Sequence, residues 1–277
     1  MKEEIELKDL IDPIVKNKKL FIYTILIVIA LTIVISLIWP KTYGSTSEIR
    51  LAQLSQAGDS ASMDIFSALE SKNIIESSMI INPAIEKYTL ESKYEEFVKK
   101  ELEVEVLKEI VGRDQKLINY IKITVFNEDP EKAKLINEEI IKNFFDYALP
   151  YYNSRLHVLI KDQAETTLGI DQLKLDIENT QKEINSLSNN QLSTEGISKS
   201  SLLTNILAPY KTRLSAEQDK IINVENKLAN KKEYSIISEP QISEKPASPN
   251  IPLNALIAFI IGIVIALLTT YIKESLK

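Results

Sequence analysis

The residues of this chain that could carry out acid–base chemistry are few and scattered. Glu101, Glu103 and Glu105 alternate along a predicted strand and so share one face of it, and a pair of carboxylates is what a glycosidase uses. The solvated face of an amphipathic strand has the same alternation, and we favour that interpretation. The single histidine, His157, lies in a helical segment between Leu156 and Val158, which favours a packing or solvated role. The sequence therefore predicts no catalytic residue, and we expect that the chain is not an enzyme.

Other kinds of reactive site are also disfavoured by composition. The chain has no cysteine, one histidine and six widely separated glycines, so a thiol site, a zinc cluster and a glycine-rich phosphate loop are not expected. Carboxylates alone could hold calcium. The net charge is −6, without a basic stripe, which argues against nucleic acid. We expect no cofactor, no metal and no nucleic-acid partner.

One residue pattern does suggest an interaction. Ala258, Gly262 and Ala266 recur every fourth residue within the charge-free apolar run 253–272, and small residues at this spacing allow two membrane helices to approach closely. A second apolar run spans 20–39, and about twenty residues suffice to cross a bilayer as a helix. A buried core helix is the alternative for 253–272. The presence of a second run near the other terminus favours two membrane spans.

The lysines beside the two runs predict an orientation. Most lie outside the segment 41–250: Lys2, Lys8, Lys16, Lys18 and Lys19 precede the first run, and Lys273 and Lys277 follow the second. By the positive-inside rule, both termini are cytoplasmic and the segment between the runs lies outside the cytoplasm. A cleaved signal peptide is disfavoured, because the leader is rich in acidic residues and no A-x-A site follows Trp39. Residues 4–20 form either a short helix along the inner membrane face or a tether.

Several elements are predicted between the spans. Residues 42–54 and 234–237 have strand character, 102–110 and 117–126 predict a hairpin, and 64–81 forms one helix or two short ones. Asp129 and Pro130 are typical of a helix start. Four prolines then precede the second span and predict an extended, semi-rigid segment: Pro240, Pro246, Pro249 and Pro252.

Two long heptad series predict an antiparallel helical hairpin. The first runs from Leu156 to Leu187 with Ile160, Gln163, Thr167 and Ile170 among its members, and Pro150 permits a kink before it. The polar stretch 188–200 breaks the pattern. The second series keeps a regular spacing of four and three, with Pro209 inside it as a kink or a true start. Its apolar seam is Leu203, Leu207, Leu214, Ile221, Val224 and Leu228, with Tyr210 and Glu217 at intervening positions. Short helices folded onto the base are the alternative.

Three segments resemble Wzz-type polysaccharide co-polymerases, the chain-length determinants of bacterial surface polysaccharides. They are EIELKDLIDPIVKNKKL with the first span and WPKTY, ITVFNEDPEKAKLINEEI at 123–140, and EPQISEKPASPNIP with the last span. The P-x-x-P-x-x-P spacing of Pro246, Pro249 and Pro252 is the most specific part. The resemblance implies an α/β base near the membrane with a long helical extension, assembled as a ring-shaped homo-oligomer. The outer segment is short for an O-antigen regulator, so the polymer class stays open.

The predicted fold is α+β, with two transmembrane helices flanking an extracytoplasmic α/β base that carries the hairpin. The predicted division is a cytoplasmic tail (1–19), a first span (20–39), the base (40–150), the arm (151–232), a closing strand with the proline-rich segment (233–252), a second span (253–272) and a cytoplasmic tail (273–277).

The function predicted from these features is non-catalytic regulation of surface polysaccharide length in the bacterial cytoplasmic membrane. The implied partners are other copies of the chain, a membrane polymerase, the growing glycan and the lipid bilayer. One alternative is a capsule or exopolysaccharide assembly partner of a separate cytoplasmic tyrosine kinase, which would meet the N-terminal tail or the residues after Tyr271. A two-span extracytoplasmic sensor shares the topology, but only nineteen residues precede the first span.

Overall fold

The computed structural model describes residues 14–54, 63–111, 114–189 and 194–275. Most of the predicted tail 1–19, the polar loop at 58–62, Gly112 of the predicted hairpin turn and the centre of the polar stretch 188–200 lie outside these residues. The helices are α1 (Lys18–Ile38), α2 (Ala68–Ile75), α3 (Ser78–Lys87), α4 (Tyr94–Lys100), α5 (Pro130–Asn189), α6 (Thr194–Ala229) and α7 (Ile251–Ser275). The strands are β1 (Tyr43–Arg50), β2 (Gln53–Leu54), β3 (Met63–Asp64), β4 (Leu102–Val111), β5 (Asp114–Asn127) and β6 (Ser235–Ile242).

A four-stranded antiparallel sheet of order β4-β5-β1-β6 forms the base. Strand β1 comes directly after α1 and pairs with β6, which lies shortly before α7. The sheet therefore joins the two ends of the described chain. Buried and exposed side chains alternate along β4, as the side-chain period of two requires: Leu102, Val104 and Val106 are buried, and Glu103 and Glu105 are exposed.

The N-terminal part of α5 covers the buried face of this sheet. Its apolar stripe is fully buried against the strands: Ala133, Ile136, Ile140, Ile141 and Phe144. Helices α2, α3 and α4 complete the core, with Ile75, Ile80, Ile81 and Phe97 buried. Within the stripe, Asn137 is also fully buried. Its amide donates to the Ser45 carbonyl oxygen at 2.8 Å and accepts from Ser47 Oγ at 2.8 Å, so the burial of this polar group is compensated.

Local signals explain where two of the helices begin. Asp129 Oδ1 accepts from the backbone N–H groups of Glu131 and Lys132, and Pro130 occupies the first helical position of α5, as predicted. Helix α2 begins with a reciprocal capping box between Ser67 and Glu70. The N–H and hydroxyl of Ser67 hold the pKa of the Glu70 carboxyl below its ordinary value, because both stabilise the ionised form.

Several predictions about element boundaries need correction. The closing strand continues beyond Ile237 and includes Pro240. An edge strand tolerates proline because its missing N–H need not face a neighbouring strand. Helix α5 runs through Pro150 as one element, at the position where the sequence pattern permits a kink. Helix α6 begins at Thr194, so Pro209 lies inside it and does not mark its start.

Candidate functional site

The two apolar helices α1 and α7 lie antiparallel against each other. Both are long and apolar enough to cross a membrane, and most of their apolar side chains are exposed. That exposure is unlike the buried core helix considered as an alternative for 253–272, and it is what a lipid-facing surface requires. Thr24 and Thr32 donate their hydroxyls to the carbonyl oxygens four residues earlier, at 2.9 Å. Both hydroxyl groups are therefore hydrogen-bonded within α1 itself.

The predicted small-residue stripe lies on the face of α7 that contacts α1. Ala258, Gly262 and Ala266 are all buried. A Cβ atom at position 262 would lie 3.4 Å from Ile25 Cα and 3.6 Å from Val28 Cβ. These are ordinary contact distances, so a small residue fits between the helices at this level and a bulky one does not.

Polar contacts join the same pair of helices near both ends, and the sequence reasoning missed them. Asn254 Nδ2 donates to Ser36 Oγ at 3.1 Å, where the chain enters and leaves the base. At the other end Glu274 accepts from Lys16 Nζ at 3.2 Å and from Asn17 Nδ2 at 3.3 Å. An amide inside an apolar run was the available signal for Asn254, since such groups need a partner in lipid.

The proline-rich segment links the sheet to α7. Pro240 is buried within β6, whereas Pro246, Pro249 and Pro252 follow the strand. Thr42 N–H donates to the Ser248 carbonyl oxygen at 3.0 Å, and Ala247 N–H donates to the Thr42 carbonyl oxygen at 2.8 Å. The segment is therefore paired with the residues that follow α1, and the two connections to the apolar helices lie side by side.

The C-terminal part of α5 and the whole of α6 form an antiparallel helical arm. Lys220 Nζ lies 2.7 Å from Asp162 Oδ1, and Lys199 Nζ lies 3.2 Å from Glu183 Oε1. The residue numbers of these two ion pairs increase along α5 and decrease along α6, so the helices are antiparallel. The hydrogen bond to Asp162 raises the pKa of Lys220. At 1.5 Å per residue, the 36 residues of α6 extend about 54 Å. The structure thus has a long hairpin and not the short helices of the alternative.

The predicted seam residues of α6 all turn toward α5. Leu207 and Val224 are buried, and the others are half-buried: Leu203, Leu214, Ile221 and Leu228. On α5 the prediction was wrong at two positions. Ile160 and Thr167 are exposed, while Leu159 is half-buried and Thr166 is buried. The local pattern does not distinguish between adjacent apolar residues or between adjacent threonines. Distant parts of the chain make the choice, and Leu159 packs against the core of the base.

The candidate catalytic residues are not brought together. Glu103 and Glu105 lie on the exposed face of β4, with Glu105 Oε2 4.0 Å from Lys122 Nζ. His157 is exposed on α5, far along the chain from either carboxylate. Among the described residues, no group of three or more histidine or carboxylate side chains could hold a metal ion. These positions match the solvated-face interpretation of both sequence features.

A sequence comparison matches the first part of the chain to one protein family. Residues 3–100 match the family model described as Wzz, chain length determinant protein, which confirms the resemblance seen in the sequence. No curated protein sequence matches the chain. The model is similar to a full-length bacterial polysaccharide co-polymerase, with 15% identity, 98% of each chain covered and a TM-score of 0.40.

Two further solved structures show weaker similarity. One is a fragment of the polysaccharide co-polymerase WzzB from Salmonella Typhimurium, with 10% identity, 76% of this chain and 100% of that chain covered, and a TM-score of 0.30. The other is a Wzz dodecamer fitted to a cryo-EM map, with 11% identity, 74% and 100% coverage and a TM-score of 0.24.

Proposed function

We propose that this chain regulates the length of a bacterial surface polysaccharide without catalysing a reaction. It would do so by organising a membrane polymerase and the growing glycan. The observation that carries the proposal is the match of residues 3–100 to the chain length determinant family. That stretch includes the first apolar helix, strand β1 and helices α2 to α4, so it joins the membrane anchor to the base.

The proposed topology places the chain in the cytoplasmic membrane with two spans. The spans are 20–39 and 253–272, the base (40–150), arm (151–232) and proline-rich segment (233–252) are extracytoplasmic, and the tails 1–19 and 273–277 are cytoplasmic. The lysines before α1 and after α7 support this orientation. The Asn254–Ser36 hydrogen bond and the pairing of Thr42 with Ser248 support a base on a single side of the membrane, because they bring both chain crossings to one point beneath it.

The proposed working form is a ring-shaped homo-oligomer. Leu168 and Leu175 lie on the side of α5 away from the seam and are 69% and 54% exposed. Apolar side chains in such positions favour burial against a neighbouring chain. A length-regulating device of this kind would hold its information in the shape and number of its subunits.

A gel of the surface polysaccharide tests the function. Ile221 and Val224 are both changed to glutamate, which places unpaired charge between α5 and α6 at a cost on the order of several kcal/mol unless the helices separate. We expect polymer that is still made but has lost its preferred length, seen as a smeared ladder. Ile222→Glu, at an exposed position of the same helix, is the matched control for an added charge.

Carboxylate and histidine variants test the non-catalytic part. Glu103→Gln, Glu105→Gln and His157→Ala should leave the ladder close to wild type, because all three side chains are exposed and His157 lies on a different element from the two carboxylates. If one carboxylate variant abolished the polymer while the paired glutamates in the arm changed nothing, an enzyme would have to be sought instead.

Labelling of single cysteines tests the topology. The chain has no native cysteine, so Lys2→Cys and Glu195→Cys each introduce one thiol. A membrane-impermeant maleimide added to intact spheroplasts should label position 195 alone. Labelling at position 2 in intact cells would reverse the proposed orientation.

A further inference from the structure

A cleft of about 710 Å³ opens in the base beside the two connections to the apolar helices. Its walls come from the segment after α3, the end of α4 with the residue that precedes β4, the end of β5, the first turn of α5, and the segments just before β1 and α7. The lining includes Thr42, Thr89, Glu101, Phe126, Lys132 and Ser248. The volume falls within the range of about 300–1,000 Å³ that is usual for small-molecule sites. We call it the juxtamembrane cleft.

Its position is fixed by the pairing of Thr42 with Ser248. Thr42 lies four residues after the end of α1 at Ile38, and Ser248 lies three residues before α7 begins at Ile251. An extended chain covers about 3.3 Å per residue, so the cleft lies within roughly 13 Å of both helix ends. In the proposed topology, a ligand bound there lies close to the extracytoplasmic surface of the cytoplasmic membrane.

The chemistry of the lining suits a saccharide better than a phosphate. Three carboxylates line the cleft (Glu91, Glu101 and Glu128) against two lysines (Lys100 and Lys132), and Lys100 is 2.7 Å from Glu96. A phosphate would meet net negative charge. A sugar has an apolar C–H face and hydroxyl edges that both donate and accept, so it can use an aromatic ring together with carboxylates and an ammonium group.

The aromatic ring of Phe126 is held in place by a glycine. Gly44 pairs directly with Phe126 across β1 and β5. A Cβ atom at position 44 would lie 3.3 Å from Phe126 Cε1, which is closer than such contacts normally are. Glycine therefore lets the ring lie against the sheet while it lines the cleft. On another wall, the Ser92 hydroxyl donates to Glu101 Oε1 and orients that carboxylate.

Thr89 occupies a position at which glycine would be more stable. Its φ of 49° lies in the left-handed region, and the Leu90 N–H donates to the Ile85 carbonyl oxygen at 3.0 Å. This is the usual end of a helix at which glycine is preferred, and a β-branched residue is strained there. The strained residue lies at the cleft, where strain is often retained for a functional contact.

We infer that the juxtamembrane cleft binds one to three sugar residues at the membrane-proximal end of the growing glycan. The inference rests on the proposed function, because it assigns the glycan a place on this chain. Binding at the membrane surface would hold the anchored end of the polymer at the base while the distal end lies along the arm.

Calorimetric titration of the full chain in nanodiscs tests the inference. The nanodiscs contain only phosphatidylcholine and phosphatidylglycerol, and the probe is oligosaccharide of one or two repeat units, released from the host's own surface polysaccharide. We expect saturable binding that Phe126→Leu and Lys132→Gln each weaken by about tenfold. Lys134 and Glu95 lie on α5 and α4 but do not line the cleft. The control variants Lys134→Gln and Glu95→Gln should therefore change the affinity by no more than about twofold.

Two additional variants separate a binding role from a folding role. Thr89→Gly removes the strained side chain, so it should raise the melting temperature and still weaken oligosaccharide binding. Gly44→Ala should weaken binding by displacing the Phe126 ring, although residue 44 does not itself line the cleft. If both variants bound the oligosaccharide as wild type does, the cleft would not be the site.

The remaining outcomes separate this inference from the proposed function. Absence of saturable binding to wild type would overturn the inference, and so would competition by nanodiscs that contain a monoglycosyl diacylglycerol, which would identify a lipid headgroup site. Gene deletion reports on the function alone. A deletion that alters polymer length, together with no binding in the cleft, refutes only the inference; a deletion that leaves polymer length unchanged refutes the proposed function.

Discussion

The base and the arm are built from the same long helix but are stabilised in different ways. In the base, α5 packs an apolar stripe on a sheet, and Phe144 lies among Phe145, Tyr152 and Tyr234. In the arm, the buried apolar residues among those described are few: Ile170, Leu173, Leu207 and Val224. Full burial of such a side chain contributes about 1.5–3 kcal/mol, while ordering each residue costs about 1–2 kcal/mol.

The difference indicates where each region obtains its stability. The base encloses its own core, so its folding depends on contacts within one chain. A two-helix arm with a half-buried seam gains much less per ordered residue, and we expect it to depend on neighbouring chains. Leu168 and Leu175, exposed on its outer side, are the residues most suited to such contacts.

The largest expected effect comes from truncating the centre of the base. Phe144→Ala removes a fully buried ring and should cost about 3–5 kcal/mol, with loss of hydrogen-exchange protection throughout the sheet. Leu207→Ala in the arm should cost about 2 kcal/mol, the low end of the range for such changes, with the loss confined to α5 and α6. Equal and global losses for the two variants would show that the base and arm form one cooperative unit.

Loosening the anchor tests whether the arm depends on assembly. Gly262→Leu places a bulky side chain where even a Cβ would be 3.4 Å from Ile25 Cα, so it should separate α7 from its partner helix and reduce the oligomer size seen by light scattering. Arm protection should fall with it, while base protection stays. Gly262→Ala is the matched control, since an added methyl group makes only an ordinary contact. If the Gly262→Leu variant kept the oligomer size of the wild type, the small-residue stripe would have no role in assembly.

A smaller change, an increase in the stability of the arm, is expected from a substitution of Thr166. Its side chain is 3% exposed, and its hydroxyl has no hydrogen-bond partner among the described residues. Thr166→Val keeps the shape and removes the unsatisfied group, so it should stabilise the arm by about 1 kcal/mol, measured as slower exchange in α5 and α6. Thr167→Val should bring no gain, because that exposed hydroxyl already donates to the Gln163 carbonyl oxygen at 2.8 Å.

The smallest effect is expected from the ion pair between Lys220 and Asp162. The pKa of Lys220 is raised by its hydrogen bond to Asp162, so any stability from the pair is fully present below the unfolded pKa of lysine, about 10.4, and is lost only as pH rises through the higher folded pKa. Both side chains are substantially exposed, and such pairs stabilise little. Arm exchange, corrected for intrinsic rates, should therefore be flat from about pH 6 to 8, and Lys220→Gln should barely change it. A marked change with pH in this range would point to a different titrating group.

Much of this molecule could be predicted from short stretches of sequence. The alternation of Leu102, Val104 and Val106 predicted β4, and the Asp129–Pro130 pair predicted the start of α5, because each pattern depends only on neighbours along the chain. The regular heptad from Leu203 to Leu228 likewise predicted the buried side of α6. Asn137 was missed although an amide within an apolar stripe was visible, since its partners Ser45 and Ser47 lie about ninety residues away.

Sequence patterns alone were enough to predict the two apolar helices, the strong strands and the long heptads, because hydrophobic period and length are local properties. The folded structure alone shows that β1 lies between β5 and β6, that Leu159 and Thr166 are covered in place of Ile160 and Thr167, and that Thr42 meets Ser248 beside a cleft. The physical reason is that register and pairing are chosen by the surface a segment packs against, and that surface is supplied by residues distant in the chain.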